Sequence, residues 1–440
     1  MQKVISNYFE FSLNKTTFTQ EIRAGFITFL SMIYIVIVNA KILSQTGMSE
    51  SALVTTTVII AAFSSISMGL YSKNPYAVAP AMGMNVFFTY TIVKAWGIPW
   101  QVALGAVFWS GIIFLLLAVF NIRTKILASI PNSVKHGIGA GIGIFIALVG
   151  FFNAGLIEQA PSGLLQISPL SSQTLIFLLC LLVLILLIAL RSKSAMLLTI
   201  IIGCLLSLPF GRLWGNNILL SIPVHFFARP DFSLFFAIDW GNSLKVSLIP
   251  AIFTFLFINI FDSTGILIGL SQSQNWFDKD GQPRKMRESL LVDSFSSSLC
   301  GLVGTSPTAI FVESATGIAA GGKTGLVSVI VGLLFLPFLF MAPLVTMVPS
   351  FVVAPALVVV GSFMMESIKL INWSDNLEAI PAFMTIILMP LTLSISEGIV
   401  WGMISWFVIA IIRDRKSLNI MSCIITFSCL LILLSSLNVL

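Results

Sequence analysis

Charge is what this sequence has least of. Only 9% of its 440 residues are Asp, Glu, Lys or Arg, while 57% are apolar. Soluble domains carry about 25% charged and about 45–50% apolar residues. The deficit excludes an ordinary soluble enzyme, a disordered chain and a nucleic-acid-binding module. The net charge of +6 is spread through short loops between apolar runs, so no nucleic-acid partner is expected. Cysteine is also scarce. Cys180, Cys204, Cys300, Cys423 and Cys429 sit in apolar stretches without CxxC or His-paired spacing, which excludes a disulfide framework and a zinc site. The first 20 residues are polar and amphipathic and lack the apolar core of a signal peptide. Neither HExxH nor GxSxG occurs, which argues against an intramembrane hydrolase.

Long apolar runs are what the sequence does have. A helix needs about 20 apolar residues to cross a bilayer. That rule predicts an all-α polytopic membrane protein with fourteen spans, at about 22–42, 51–71, 77–95, 100–120, 135–153, 172–190, 195–211, 245–269, 289–304, 307–321, 325–347, 350–368, 377–395 and 397–412. The tail 418–440 is long enough for a further span or a surface helix. With a cytoplasmic N-terminus, 18 of the 23 Lys and Arg fall inside and five fall outside, namely Lys41, Lys94, Arg212, Arg229 and Lys245. This asymmetry supports both orientation and count. The outside segment 212–244 divides the chain into two halves of seven spans, and its piece Asp231–Trp240 is expected to form an amphipathic surface helix. An odd number of spans inverts the second half, a recurrent plan in secondary transporters.

Both halves carry a defect in their third span. Span 3 contains Pro80 and Gly83, and span 10 opens on Pro307 among small residues. Each reads as a short extended stretch feeding a half-helix, with Asn85 and Glu313 near the two starts. Irregular backbone at membrane depth is tolerated where it is buried in protein or lines a cavity, and half-helix N-termini present free N–H groups. Facing broken helices therefore mark a transporter's central site. Intramembrane carboxylates mark it independently. Asp262 lies in the middle of span 8 and Glu313 in span 10; Asn259 precedes Asp262 by three positions, on the same helix face. Asp293, one turn into span 9, is expected to pair locally or to cap. Gly317-Ile-Ala-Ala-Gly-Gly-Lys-Thr324 matches the GxxxxGK[ST] phosphate-loop pattern. It begins inside an apolar span, where no nucleotide domain can be built around it, and is expected to serve helix packing.

These residues resemble the AzgA-like branch of the xanthine/uracil permease family, the guanine/hypoxanthine and adenine permeases. The resemblance covers about residues 10–415. It is carried by Val78-Ala-Pro-Ala-Met-Gly-Met-Asn85, Asn259-Ile-Phe-Asp-Ser-Thr-Gly265, Gly304-Thr-Ser306, Val312-Glu-Ser-Ala-Thr-Gly-Ile-Ala-Ala-Gly-Gly-Lys-Thr-Gly325 and Ala379-Ile-Pro-Ala-Phe-Met-Thr385. It implies two inverted seven-span repeats. A core domain would comprise 21–120 and 245–347, and a gate domain 121–211 and 348–413. The rest would be a cytoplasmic N-terminus 1–20, an extracytoplasmic connector 212–244 and a hydrophobic tail 414–440. It further implies a multi-pass protein of an inner or plasma membrane, often a homodimer, that couples purine uptake to protons and uses no cofactor.

By the same resemblance, Glu313 holds the nucleobase, Asp262 matches the second acid of the span-8 element and Asn85 the span-3 asparagine; Asn259 and Ser314 are further substrate-binding candidates, and an aromatic such as Phe311 or Phe87 can supply apolar or stacking contact. Asp262 and Glu313 are the proton-coupling candidates. The chain departs from the family pattern at Asn259, where the family has Asp, and at Phe311, where it has Tyr. Asparagine still hydrogen-bonds but cannot titrate, so Asn259 is expected to help recognise the base. A rival on the same architecture is an anion carrier of the sulfate-permease type, although a dedicated anion site should avoid a carboxylate such as Glu313. A passive channel is a second rival.

Overall fold

The computed structural model describes residues 2–120, 129–160, 165–213, 219–272, 274, 276–277, 282–413 and 418–436. The basic residues Arg123, Lys125, Lys279, Arg415 and Lys416, assigned above to the inner side, lie outside the described residues. Among those described, the chain is built mostly of helices, with two short two-stranded ladders. Eight stretches are long and apolar enough to cross a membrane: Phe18–Thr46, Glu50–Ser72, Trp100–Val119, Asn132–Asn153, Ser172–Ala189, Ile249–Gln272, Ser350–Leu370 and Ile395–Arg413. Four shorter apolar helices accompany them, Ala195–Pro209, Leu326–Phe340, Asn376–Thr392 and the tail segment Ile420–Leu430. Expected spans 3, 9 and 10 are absent from both groups for separate reasons. Spans 3 and 10 are interrupted by strands. The ninth, Met286–Val303, carries Ser294, Ser296, Ser297 and Ser298, all buried against other protein.

Eleven elements position the site. They are α1 (Phe18–Met32), α2 (Tyr34–Leu43), α3 (Glu50–Ser67), β1 (Val78–Pro80), α4 (Met82–Val86), α5 (Trp100–Val119), α6 (Ile249–Gln272), α7 (Met286–Val303), β2 (Thr308–Ile310), α8 (Ser314–Ala319) and α9 (Leu326–Phe335). Helices α1 and α2 follow one another with Ile33 between them in helical geometry. Beyond α4 the winding loosens to a π-helix over Phe87–Ala95.

Strands β1 and β2 pair antiparallel, Val78 opposite Ile310, Ala79 opposite Ala309 and Pro80 opposite Thr308. Residues 230 positions apart thus meet in the protein interior as a two-stranded ladder, every residue of it buried. Proline suits such an edge because its missing N–H is not required there. The ladder's ends close through Ala81 N–H to the Pro307 carbonyl (3.0 Å) and Phe311 N–H to the Ala77 carbonyl (2.9 Å). On the outer edge of β1, the Ser65 hydroxyl exchanges hydrogen bonds with the N–H and carbonyl of Val78, both at 3.0 Å. The extended backbone is therefore satisfied without water, as a membrane interior demands.

Helices α5 and α7 approach closely at Gly111, where a Cβ would meet the Ser298 Cα at 2.6 Å and the Ser297 carbonyl carbon at 2.8 Å. The connector departs from expectation. Asp231–Trp240 forms turns rather than a helix. Its N–H groups reach other elements, Phe236 to the Leu302 carbonyl (2.7 Å) and Asp239 to the Gln101 carbonyl (3.2 Å). Phe236 takes a positive φ of 56°, and the Asp231 carboxylate draws Ser49 (3.0 Å), Ser51 (2.8 Å) and Ser233 N–H (3.0 Å). Tertiary hydrogen bonds thus replace the helical ones, and the segment becomes a strap over the ends of α3, α5 and α7.

Candidate substrate site

Glu313 sits at the N-cap of α8, immediately after β2. It is half-buried, and the preceding Val312 is 56% exposed, so this turn opens outward while β2 behind it is sealed. Tyr34, the first residue of α2, donates its hydroxyl to Glu313 Oε1 at 2.6 Å. The tyrosine is buried, at 2% exposure. Sequence reasoning passed over it: a lone tyrosine in an apolar run has no periodic signal, and its partner lies 279 residues away.

The whole length of α8 is tied to α1 and α2. After the Tyr34–Glu313 pair come Ser31 with the Thr316 hydroxyl (3.0 Å) and Gly317 against the Ala24 carbonyl, where a Cβ would stand at 2.8 Å. Beyond α8, the Gln20 side-chain amide donates to the Gly321 carbonyl (3.0 Å). Fully buried Glu21 then accepts from Lys323 N–H (3.0 Å), Thr324 N–H (3.1 Å), the Thr324 hydroxyl (2.7 Å) and the Thr16 hydroxyl (2.6 Å). The phosphate-loop-like run therefore binds an internal carboxylate with the amides that such a loop would offer a phosphate. On the other side, Ala77 N–H donates to the Ser314 hydroxyl (3.0 Å), joining α8 to β1.

Asp262 lies on α6, half-buried, and accepts no hydrogen bond among the described residues. It is within Coulombic reach of Glu313 and of Asp293. Asp293 corrects the expectation of a local cap or pair. It is fully buried on α7, accepting from Ser263 (2.5 Å) and Thr308 (3.1 Å), both long-range partners. The reason is packing: α6 and β2 close over that face of α7, so its carboxylate is satisfied across the interface. No Lys or Arg among the described residues forms an ion pair with Asp262, Asp293 or Glu313.

Asn259 faces the same interior junction. Its neighbours orient the amide so that nitrogen donates to Asp293 Oδ2 (3.2 Å) and the Thr308 carbonyl (3.2 Å), while oxygen accepts from Ser297 (2.7 Å). Asn85 is buried on α4. Its Oδ1 takes the Ser306 hydroxyl, and its Nδ2 has no partner among the described residues. Helix α4 starts without a side-chain cap, whereas the first amides of α8 are taken by tight turns, Ser314 to the Phe311 carbonyl (3.1 Å) and Ala315 to the Val312 carbonyl (2.9 Å). Phe87 is enclosed edge-to-face by Phe255 (5.0 Å) and Trp96 (6.1 Å), and Phe311 is buried as well. Glu313 and Asp262 are both half-buried and lie near enough to interact electrostatically. Asn259, Phe87, Phe311 and Ser314 lie in the packing around them.

A model of the xanthine/uracil permeases, described as a permease family, matches residues 19–401. The adenine permease AdeP of Escherichia coli is 40% identical over 98% of this chain and 96% of its own. The guanine/hypoxanthine permease PbuO of Bacillus subtilis is 35% identical over 92% of this chain and 95% of its own. Among solved structures, the transmembrane domain of the cyanobacterial bicarbonate transporter BicA superposes with a TM-score of 0.65 at 16% identity, covering 88% of this chain and 98% of that domain. SLC26A9 also gives 0.65, at 11% identity, over 94% of this chain and 69% of its own. At such identities the likeness concerns the fold alone.

Proposed function

The chain belongs to the xanthine/uracil permease family, a group of multi-pass membrane transporters, and on that premise we propose that it imports purine bases in symport with protons. The observation that carries this reading is Glu313. It is a half-buried carboxylate with no ion pair among the described residues, fixed by Tyr34, at the turn between β2 and α8. A planar purine offers ring N–H groups along one edge, and a carboxylate oxygen accepts them. The ring acceptors of the base need N–H donors, a role we assign to Asn85, whose buried Nδ2 has no partner among the described residues. A buried anion site would instead be built from donors and cations, and Glu313 with Asp262 opposes one.

Proton carriage rests on Asp262 and Glu313. Neither has a cation partner among the described residues, and protonation removes a charge that is costly at membrane depth. Among the described residues, none donates a hydrogen bond that would hold Asp262 in one state. Asn259 acts one step back, as a donor to Asp293. No cofactor enters this scheme. The topology we propose is fourteen crossing segments in two inverted halves, N-terminus in the cytoplasm, with α1–α5 and α6–α9 in a core domain and the helices of 121–211 and 348–413 in a gate domain. The pairing of β1 with β2 supports it, because corresponding breaks in the two halves meet.

The test is uptake by proteoliposomes. Labelled adenine, hypoxanthine and guanine are expected to enter saturably and faster under an inward proton gradient. Labelled sulfate or bicarbonate entering in their place would favour the anion reading, and flux without saturation would favour a channel.

A further inference from the structure

We propose that Asn153 and Tyr90 form a polar clasp that holds one end of the seam between the core and gate domains shut, and that the gate closes onto the bare face of α6 at the other end when the clasp parts. The inference rests on the division into core and gate proposed above. At the clasp, the Tyr90 hydroxyl donates to Asn153 Oδ1 at 2.9 Å, and the Gln45 side-chain amide reaches the same oxygen at 3.3 Å. The Lys94 ammonium donates to Gln45 Oε1 at 2.7 Å and lies 4.8 Å from the centre of the Tyr90 ring. Asn153 ends the gate helix Asn132–Asn153. Its partners stand on the core, in the turn after α2 and in the π-helix Phe87–Ala95. Two buried hydroxyls also bond across the seam: Thr91 to the Leu393 carbonyl (2.7 Å) and Thr254 with the Ser396 hydroxyl (2.6 Å). In the proposed topology these contacts lie toward the extracytoplasmic end.

The helices that meet at the seam differ along their length. Ile142, Ile146, Val149 and Asn153 follow one another at four- and three-residue steps and so share a face. The three apolar residues are each at most 3% exposed. Ile142 Cγ2 stands 3.0 Å from where a Cβ on Gly83 of α4 would lie, so this stripe faces the core. On α6, Thr254, Ile258, Asp262, Gly265 and Gly269 share a face in the same way. Thr254 and Ile258 are buried, Asp262 is half-buried, and both glycines are exposed. A Cβ on either glycine would meet nothing within 4 Å among the described residues. One on Gly137, Gly141, Gly398 or Gly402 of the gate would meet a neighbour at 3.0 Å or less. Small residues let transmembrane helices approach closely. One face of α6 is thus packed where it meets the gate and bare further along, and that continuity names the gate as its occupant. A rigid gate cannot reach Gly265 without leaving Thr254 and Tyr90, so the two contacts exclude one another.

The probe is a membrane-impermeant maleimide, applied to purified Val149→Cys protein in lipid nanodiscs, where both membrane faces are reachable. Its attachment is read by the mass of the peptide that carries position 149. No purine is present, so the result is separate from the purine reading, which fails instead if the wild type takes up no base. Val149→Cys alone is expected to label slowly. Adding Asn153→Ala removes the acceptor of two hydrogen bonds and should speed labelling at least about fivefold. Adding Tyr90→Phe removes one bond and should speed it about two- to tenfold. Adding Gly265→Leu to the Asn153→Ala protein should return labelling to the slow rate, because a side chain on the bare face obstructs the gate. Local loosening around Asn153 predicts no such rescue from the far end of the seam. Labelling that ignores Asn153→Ala or Tyr90→Phe, or that stays fast with Gly265→Leu, would overturn the proposal.

Discussion

Replacing Glu21 with alanine should loosen the half-helix that carries Glu313, though the two residues are 292 positions apart. Glu21 is fully buried and accepts four hydrogen bonds, two of them from the main-chain N–H groups of Lys323 and Thr324 at 3.0 and 3.1 Å. The Thr16 and Thr324 hydroxyls supply the others, and hydroxyls can rotate toward new partners. The two amides cannot. A buried donor left without an acceptor costs about 1–3 kcal/mol, so with two such amides Glu21→Ala should destabilise by about 2–6 kcal/mol. For 440 residues, an unfolding entropy of about 2.1 cal/mol/K per residue converts this to a fall in Tm of about 2–6 °C. Glu21→Gln keeps one acceptor oxygen and turns an N–H₂ group toward the other donor, so it should lose roughly half as much. Thermal unfolding in nanodiscs measures the shift. Hydrogen exchange locates it: the amides of 323 and 324 should exchange faster in Glu21→Ala, while the β1–β2 ladder stays protected. An alanine variant with wild-type Tm and unchanged exchange at both amides would refute the argument that this carboxylate anchors the run.

Further outcomes follow from other contacts. Asn259→Ala deprives buried Asp293 of a donor and should cost about 1–3 kcal/mol, read as a lower Tm, with selectivity among bases unchanged. Gly111→Val drives a side chain into the backbone of α7 at Ser297 and Ser298. Overpacking of this kind costs about 1–3 kcal/mol, read as a lower Tm. In the connector, burial pushes the Asp231 carboxyl up, but hydrogen bonds from Ser233, Ser51 and Ser49 outweigh it and hold the carboxyl below its ordinary range. A lowered folded value means a stabilisation that is full above the unfolded value of about 3.9 and is lost as pH falls through the folded one. Asp231→Asn should therefore lower Tm at about pH 7 and make little difference at about pH 3.

The parts of the fold that local chemistry controls were legible in the sequence. Pro80 and Pro307 forecast the two breaks because proline removes a donor wherever it stands, and strands stand there. Asp262 and Glu313 stood out because a carboxylate in an apolar run is anomalous on its own. What stayed hidden depends on distant partners. Tyr34 acquires meaning only opposite Glu313, and Glu21 only opposite residues 323 and 324. Asp293 read as a helix-start residue until Ser263 and Thr308 closed over it. The pattern of Asp231–Trp240 suited a helix, but hydrogen bonds to Leu302 and Gln101 hold its backbone in turns. Phe87 and Phe311 have the chemistry to stack on a base, and composition alone does not reveal that neighbouring side chains enclose them.

The measurement closest to the central claim is base binding by Glu313→Gln. Glutamine keeps the size of the side chain and can still accept from Tyr34, but it replaces the remaining carboxylate oxygen with an N–H₂ donor that repels the base N–H. Isothermal titration of purified wild type and variant, each folded as judged by size-exclusion profile and Tm, should show purine binding by wild type and its loss by at least about 100-fold in the variant. A folded Glu313→Gln protein that binds purines with wild-type affinity would contradict the account at its base.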